Sequence, residues 1–202
     1  VMKAAYDRAH KIFEDGNGYA RTRELTAGGV HTSQIRELQD EGYIYKIKRG
    51  LYQWSDYVIE SNQELVGVSK IVPNGVICLL SALSYHGLTT HQPRENYVAI
   101  HRDATRHTLP DYPPIRLFYF SDSQYRVGIT ETTLSGHQVK IYDAEKTLCD
   151  VVRYRNKIGQ DIVRESLKEY FDQPNVNVEK LMDYARKTGV FSIISQYMEV
   201  LP

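Results

Sequence analysis

Short glycine-containing breaks divide the first quarter of the chain into segments that are long enough only for brief helices and strands. Gly16-Asn17-Gly18, Gly28-Gly29 and Gly42 each follow a segment with apolar residues at helical spacing. Glycine readily adopts the left-handed backbone that ends a helix, so each break separates one element from the next. The pattern predicts three helices, at about residues 3–15, 22–25 and 32–41.

Two β-prone runs follow the third predicted helix. Residues 43–48 and 51–54 flank Arg49-Gly50, and two such runs around a basic, glycine-containing tip are typical of a β-hairpin. The order helix, helix, turn, helix, hairpin is that of a winged helix-turn-helix. We therefore predict a winged helix-turn-helix domain at residues 1–58.

The rest of the chain, residues 59–202, indicates a second domain that mixes helices and strands, so the predicted fold class is α+β. Residues 56–72 have a helical pattern, and the domain boundary is expected near residues 56–62. The strongly apolar segment 76–88 is predicted to form a buried helix. Further strands are predicted at 97–101, 115–120, 126–134 and 137–142, and further helices at 143–155, 161–171, 178–188 and 190–201.

The charge and hydropathy of the whole chain narrow the possible environments. The 25 basic and 25 acidic residues give a formal net charge of zero, so binding to nucleic acid would have to rest on local clusters of cations. No apolar run approaches the roughly 18 residues of a membrane span, and the N-terminus lacks the pattern of a signal peptide. We expect no membrane partner and a cytoplasmic location.

The predicted third helix has small and polar residues at its start. A helix in the major groove reads base edges with such side chains near its N-terminus, where its dipole also favours phosphate. Gln34 can pair with adenine and Arg36 with guanine, while Thr32 or Ser33 can contact a phosphate or a base edge. These residues are the predicted reading surface for duplex DNA.

Cations on the neighbouring segments complete the predicted DNA-binding surface. Lys46, Lys48 and Arg49 on the hairpin would contact the adjoining DNA backbone, and Arg21 and Arg23 would anchor the preceding helix. An alternative interpretation is that these charges form an ordinary solvated surface and that the winged fold binds a protein partner.

A second alternative is a nuclease-like enzyme that the winged domain delivers to DNA. Asp143, Glu145, Lys146 and Asp150 contain the carboxylates and lysine that a metal-dependent nuclease needs. Their spacing is poor for that role. We expect Asp143 to cap a helix, Glu145 and Lys146 to point outward, and Asp150 to pair with Arg153. We therefore predict no catalytic residue and no enzymatic activity.

Other constellations that bind metals or cofactors are also weak in this sequence. The seven histidines lack the tight local pairs of zinc sites, and there is no Cys-x-x-Cys, phosphate-binding loop or nucleophile elbow. Cys78 and Cys149 stand in apolar surroundings and are expected to be buried free thiols. We predict no metal and no cofactor.

Several short motifs, in this order and separation, resemble AbiEi-type antitoxins, which are regulators of bacterial abortive-infection systems. The motifs are Thr22-Arg23-Glu24-Leu25, Gly29-Val30-His31, Ile35-Arg36-Glu37-Leu38, Gly42-Tyr43-Ile44 and Arg49-Gly50-Leu51-Tyr52, followed by residues 77–90 and 142–150. The resemblance therefore extends over both predicted domains.

The resemblance implies a function for each domain. The winged domain would repress its own operon at inverted repeats, with Thr32 to Arg36 as the recognition segment and Lys48 to Arg49 as the wing. The second domain would counteract a nucleotidyltransferase-like toxin without forming a stable complex, which defines a type IV system.

Overall fold

The computed structural model describes residues 2–58 and 61–200, which divide into two compact units. The N-terminal unit contains residues 1–73, 107–113 and 134–137, and the C-terminal unit contains residues 74–106, 114–133 and 138–202. The sequence predicts a domain boundary between residues 58 and 59, within the range 56–62. Residues 59 and 60 lie outside the described residues. The boundary remains a prediction.

Helices and one small sheet make up the N-terminal unit. The sheet is antiparallel, with strand order β1-β3-β2, and β2 and β3 form the predicted hairpin. The three predicted helices are confirmed, whereas the short β1 was not predicted. The elements are α1 (Met2–Asp15), β1 (Tyr19–Arg21), α2 (Thr22–Ala27), α3 (Thr32–Asp40), β2 (Ile44–Lys48), β3 (Leu51–Trp54) and α4 (Ser61–Ile71).

An apolar core orients α3 within the N-terminal unit. Ile35 and Leu38 are buried, as their spacing predicts, and they pack in one cluster with Phe13, Leu25 and Trp54. Because residues three apart share a helix face, burial of these two side chains turns the opposite face of α3 toward water. The sequence pattern predicts the buried side of α3, and the packing of the unit leaves the opposite side open to water.

Helix α4 packs closely on the sheet of the N-terminal unit. A Cβ atom added at Gly67 would lie 2.5 Å from Cζ of Tyr19, a distance that real Cβ atoms do not show. Glycine at this position of α4 therefore permits the helix to approach β1 directly. This close packing brings the C-terminal end of α4 to the strand ends that carry Arg21 and Lys48.

The C-terminal unit combines a five-stranded mixed sheet with helices, which confirms the predicted α+β class. The strand order is β6-β5-β4-β8-β7, in which β5 pairs parallel with β6 and antiparallel with β4. The elements are β4 (Val76–Ile77), α5 (Leu79–Tyr85), β5 (Asn96–His101), β6 (Ile115–Phe120), α6 (Asp122–Tyr125), β7 (Ile129–Leu134), β8 (His137–Tyr142), α7 (Ala144–Arg153), α8 (Arg155–Ile158), α9 (Gln160–Phe171), α10 (Val178–Thr188) and α11 (Phe191–Val200).

The apolar segment 76–88 differs from its prediction as one buried helix. Val76 and Ile77 form β4, and the helix begins only at Leu79. Ile77 pairs with Val98 of β5 and Ile141 of β8, so this short strand lies between two others. A continuous apolar run fits a central strand as well as a buried helix, and only the tertiary pairing distinguishes them.

Candidate nucleic-acid interface

The exposed face of α3 carries most of the predicted reading residues. Thr32, Ser33 and Arg36 are exposed, while Ile35 and Leu38 on the opposite side are buried. The predicted side chains at the start of α3 are thus open to water. Their positions fit a helix that meets a ligand with its N-terminal half.

Gln34 has a different environment from its neighbours. Its side chain is half-buried, and its Oε1 accepts a hydrogen bond of 2.9 Å from the backbone N–H of His31, the residue before the helix. This contact satisfies one of the backbone donors that a helix start leaves unpaired. An amide oxygen has two lone pairs, so Oε1 keeps one acceptor site beside this contact, and the pairing of Gln34 with adenine stays a prediction.

A groove of about 440 Å³ joins α3 to the hairpin. Thr32 and Arg36 of α3 line it together with Lys46 of β2, so the structure brings these three predicted residues to one concave surface. Besides the buried Ile35, four further residues line the groove that sequence reasoning did not assign to the interface. They are Thr22, Gln39, Asp40 and Tyr52.

The added residues change the chemistry of the groove. Gln39 follows Arg36 by three positions and extends the polar face of α3, a placement that the helical period could have indicated. Asp40 adds a negative charge one turn beyond Arg36, which limits attraction for phosphate in that part of the groove. Tyr52 and Thr22 enter from β3 and α2, and their positions depend on tertiary packing.

The predicted cations fall into two sets. Lys46 and Arg49 are exposed on the hairpin, and Arg23 is exposed on α2. Arg21 and Lys48 are half-buried and donate hydrogen bonds to backbone carbonyl oxygens at the end of α4. The first set is available to a ligand without rearrangement, whereas the second set also has a structural role.

The candidate nuclease residues of α7 have mainly structural partners. Asp143 caps the helix, as predicted, because its Oδ1 accepts a hydrogen bond of 2.9 Å from the N–H of Lys146. The expected pair between Asp150 and Arg153 is replaced by an ion pair of 2.5 Å between Asp150 Oδ2 and Lys146 Nζ. Lys146 and Asp150 are 0% and 1% exposed, so this pair is sealed from water.

The expectation that Glu145 and Lys146 point outward was wrong, because other elements cover α7 on its polar side. Glu145 accepts a hydrogen bond of 2.8 Å from the hydroxyl of Tyr170 and lies 3.0 Å from Nζ of Lys180. Burial alone raises the pKa of Glu145, but hydrogen bonds from Tyr170, from the backbone and from Lys180, together with the charge of Lys180, outweigh it and the pKa is lowered. Lys146 lies 4.1 Å from the ring centroid of Tyr142, which stabilises its buried charge.

Within residues 2–58 and 61–200, no three His, Cys, Asp or Glu side chains are grouped so that they could hold a metal ion. In the same part of the chain, every helix is too short or too polar to cross a bilayer. Cys78 and Cys149 are buried free thiols, as predicted, and burial raises the pKa of both.

Comparison with known proteins identifies the family that the N-terminal residues resemble. Residues 7–53 match the profile of a family described as a transcriptional regulator, AbiEi antitoxin. The match confirms the resemblance seen in the motifs over the stretch that includes α2, α3 and the hairpin. The motifs at 77–90 and 142–150 lie beyond it. No curated protein sequence matches the chain.

One solved structure shows a similar fold over almost the whole chain. The crystal structure of the RV2827C protein from Mycobacterium tuberculosis superposes with a TM-score of 0.50 at 14% sequence identity. The similarity covers 97% of this chain and 81% of that chain. At this identity the similarity concerns the fold alone.

Proposed function

We propose that the N-terminal residues, which match the AbiEi regulator family over 7–53, form a winged helix-turn-helix that binds duplex DNA. In this proposal α3 is the recognition helix and the β2–β3 hairpin is the wing. The observation that carries the proposal is the shared groove, where Thr32 and Arg36 of α3 stand beside Lys46 of β2. A single duplex can contact a recognition helix and a wing together when both line one concave surface.

In this proposal, residues at the exposed start of α3 contact the DNA bases. Arg36 can donate two hydrogen bonds to a guanine, and Thr32 and Ser33 can contact a base edge or a phosphate. Gln34 can offer its Nε2 group to a base acceptor while its Oε1 closes the helix start. Arg36 is therefore the side chain with the greatest expected effect on sequence preference.

Cations around these base-contacting residues would contact the DNA phosphates. Lys46 and Arg49 would meet the backbone on the wing side, and Arg23 would meet it at the start of α2, where all three are exposed. Arg21 and Lys48 lie at the ends of β1 and β2 and retain donors that their backbone contacts do not use. These contacts hold the protein on DNA irrespective of sequence.

The family match supports a regulatory and antitoxin role. We propose that the chain represses its own abortive-infection operon at inverted repeats in the promoter, and that it counteracts a nucleotidyltransferase-like toxin without a stable complex. A repressor acts where the chromosome lies, so we place its action in the cytoplasm.

We propose a regulator without enzymatic activity, in preference to the nuclease-like alternative. A metal-dependent nuclease needs carboxylates that are free to bind a metal and near water. Lys146 instead neutralises Asp150 inside the unit, and Lys180 bridges Asp143 and Glu145 at 2.9 and 3.0 Å. These ion pairs are typical of side chains that stabilise a fold.

The test is a titration of the purified full chain against the duplex that lies upstream of its own gene, with a shuffled duplex of equal length as the control. We expect preferential binding to the upstream duplex and a DNase protection pattern with two related half-sites. The titration is repeated with Asp143→Asn, which should leave binding unchanged. Equal affinity for both duplexes, or DNA cleavage that Asp143→Asn abolishes, would overturn the proposal.

A further inference from the structure

Lys46 and Tyr52 form a cross-strand pair on the hairpin side of the α3 groove. They are directly opposite each other in the register of β2 and β3, and both line the groove. Directly opposed side chains lie on one face of a sheet, with their Cβ atoms about 5 Å apart. The ammonium of Lys46 and the hydroxyl of Tyr52 can therefore reach one small group from the same side of the groove. We call these two residues the Lys46–Tyr52 pair.

Both polar groups of the pair are available to a ligand. Within residues 2–58 and 61–200, the hydroxyl of Tyr52 makes no hydrogen bond to another protein group, and Lys46 has no ion-pair partner. The ammonium has three donors and the hydroxyl has one. The pair therefore offers several donors and one positive charge to the groove.

The opposite side of the groove, on α3, has groups of another kind. Arg36 and Gln39 carry planar groups whose hydrogen-bonding atoms have fixed positions, and such groups suit the edge of a base. Among the described residues that line the groove, Asp40 carries the only carboxylate, and it belongs to α3. A negative charge there disfavours phosphate on the α3 side.

An ammonium and a hydroxyl have no fixed planar pattern, and lysine and tyrosine side chains commonly contact phosphate oxygens of DNA. A phosphate also suits the pair because an O–H group bonds more strongly to a charged acceptor than to a neutral one. The two sides of the groove thus favour two different parts of one duplex: bases on the α3 side and backbone on the hairpin side.

The ring of Tyr52 is held in place by the protein itself. It is half-buried and packs against the apolar core of the N-terminal unit. A side chain that is already ordered loses little entropy when its hydroxyl meets a ligand. Tyr52 can therefore add to affinity although it carries no charge.

We propose that Tyr52 donates its hydroxyl to a backbone phosphate of bound duplex DNA, and that Lys46 contacts the same phosphate. The inference rests on the proposed DNA-binding function and deepens it, because it adds an uncharged residue to the phosphate contacts. The phosphate would lie on the hairpin side while Arg36 contacts a base from the α3 side.

The experiment measures duplex affinity against salt concentration for wild type, Tyr52→Phe, Lys46→Gln, the double variant and the control Tyr45→Phe. Tyr45 precedes Lys46 on β2, is 56% exposed and lies on the other face of the sheet. Tyr52→Phe keeps the ring and removes a hydroxyl without a protein partner in the described ranges, so its thermal unfolding should match wild type. Binding of inorganic phosphate alone is titrated in parallel.

Tyr52→Phe should weaken binding to upstream and shuffled duplexes alike by about tenfold, the effect of one hydrogen bond to a charged group. Its salt slope should stay at the wild-type value, because counterion release depends on charge. Lys46→Gln should instead lower the salt slope by about 0.9. Tyr45→Phe should bind like wild type.

The double variant tests whether the two side chains share one phosphate. If they do, its loss of affinity should be smaller than the product of the two single losses by at least about twofold. Single losses that simply multiply would assign the side chains to separate phosphates and overturn the inference.

Wild-type duplex affinity in Tyr52→Phe overturns this inference alone. A loss confined to the upstream duplex would make Tyr52 a base contact and also overturn it. Weaker binding of inorganic phosphate by Tyr52→Phe, with unchanged duplex affinity, would assign the pair to a free phosphate compound and overturn it too. A wild-type chain that binds neither duplex overturns the proposed function itself.

Discussion

The charged side chains of the α3 groove in one unit and those of α7 in the other stand in opposite environments. In the N-terminal unit, Arg36 and Lys46 line an open groove and have no ion-pair partner within the described part of the chain. In the C-terminal unit, Lys146 and Asp150 are buried and joined at 2.5 Å. An exposed charge costs little to leave unpaired, whereas a buried charge needs a partner. Arg36 and Lys46 are therefore available to a ligand, whereas Lys146 and Asp150 stabilise the fold.

This contrast separates the expected effects of mutation. Removing a charge from the groove should change DNA affinity and leave the free energy of unfolding almost unchanged. Removing a charge from α7 should lower the free energy of unfolding and leave the DNA-binding residues as they are. The predictions that follow test this separation, beginning with the largest effect.

Lys146→Met should destabilise the protein most. The substitution leaves the Asp150 carboxylate buried without its counter-charge, and breaking a buried pair in this way costs about 3 to 5 kcal/mol. Denaturant unfolding at pH 8 measures the loss. The double variant Lys146→Met with Asp150→Leu should recover most of it, because both charges are then absent. If the free energy of unfolding of Lys146→Met lies within about 1 kcal/mol of wild type, the pair does not stabilise the fold as proposed.

The same pair predicts a pH dependence. Burial raises the pKa of Asp150 to about 6, and the attraction of Lys146 acts against that rise. Since the folded-state pKa lies above the ordinary value of 3.8, the contribution of Asp150 to stability falls as pH rises from about 4 to about 6. Without Lys146 the pKa rises further, so the decline should continue to higher pH.

Unfolding measured from pH 5 to pH 8 compares wild type with Lys146→Met. The free-energy gap between them should narrow toward pH 5, where the carboxyl can take up a proton. A gap that stays constant across this range, or widens at low pH, would show that Asp150 does not govern it.

Arg36→Ala should weaken binding to a preferred duplex by about 1 to 3 kcal/mol and relax the preference at one base pair, as expected for loss of a bidentate contact. Competition with single-base variants of the upstream duplex measures both effects. Lys11→Ala, which removes an exposed cation from α1, provides the matched control. Equal losses of affinity for preferred and shuffled duplexes would indicate that Arg36 contacts the DNA backbone and not a base.

Arg49→Ala should have the smallest effect, because an exposed wing cation contacts phosphate alone. The salt slope should fall by about 0.9, and affinity near 0.15 M salt should fall by about fivefold, for every sequence alike. Fluorescence anisotropy over a salt series gives both values. If the slope stays at the wild-type value, the wing tip does not contact DNA.

Elements with a clear period were predictable from the sequence. The spacing of Ile35 and Leu38 identified the buried side of α3, and Arg49-Gly50 identified the turn of the hairpin. Strand β1 has only three residues, too few to show a period, and it exists because it pairs with β3. The shared groove follows from how these elements pack, which local pattern does not encode.

The environment of individual charges was less predictable, because it depends on distant parts of the chain. Arg21 contacts a carbonyl 49 positions away and Lys48 one 23 positions away. Glu145 and Lys146 occupy helix positions that looked solvent-facing, but Tyr170 and Lys180 reach Glu145 from α9 and α10. A helical period shows which residues share a face and gives no information on which faces other elements cover.

The central claim is that the groove between α3 and β2 is where duplex DNA binds. The most direct test compares salt-dependent duplex affinity of the Arg36→Ala/Lys46→Ala variant with that of Lys11→Ala/Lys168→Ala, which removes two exposed cations elsewhere. We predict that the groove variant loses at least about tenfold in affinity for the upstream duplex, while the control binds like wild type. Wild-type affinity in the groove variant, with its salt slope unchanged, would contradict the claim.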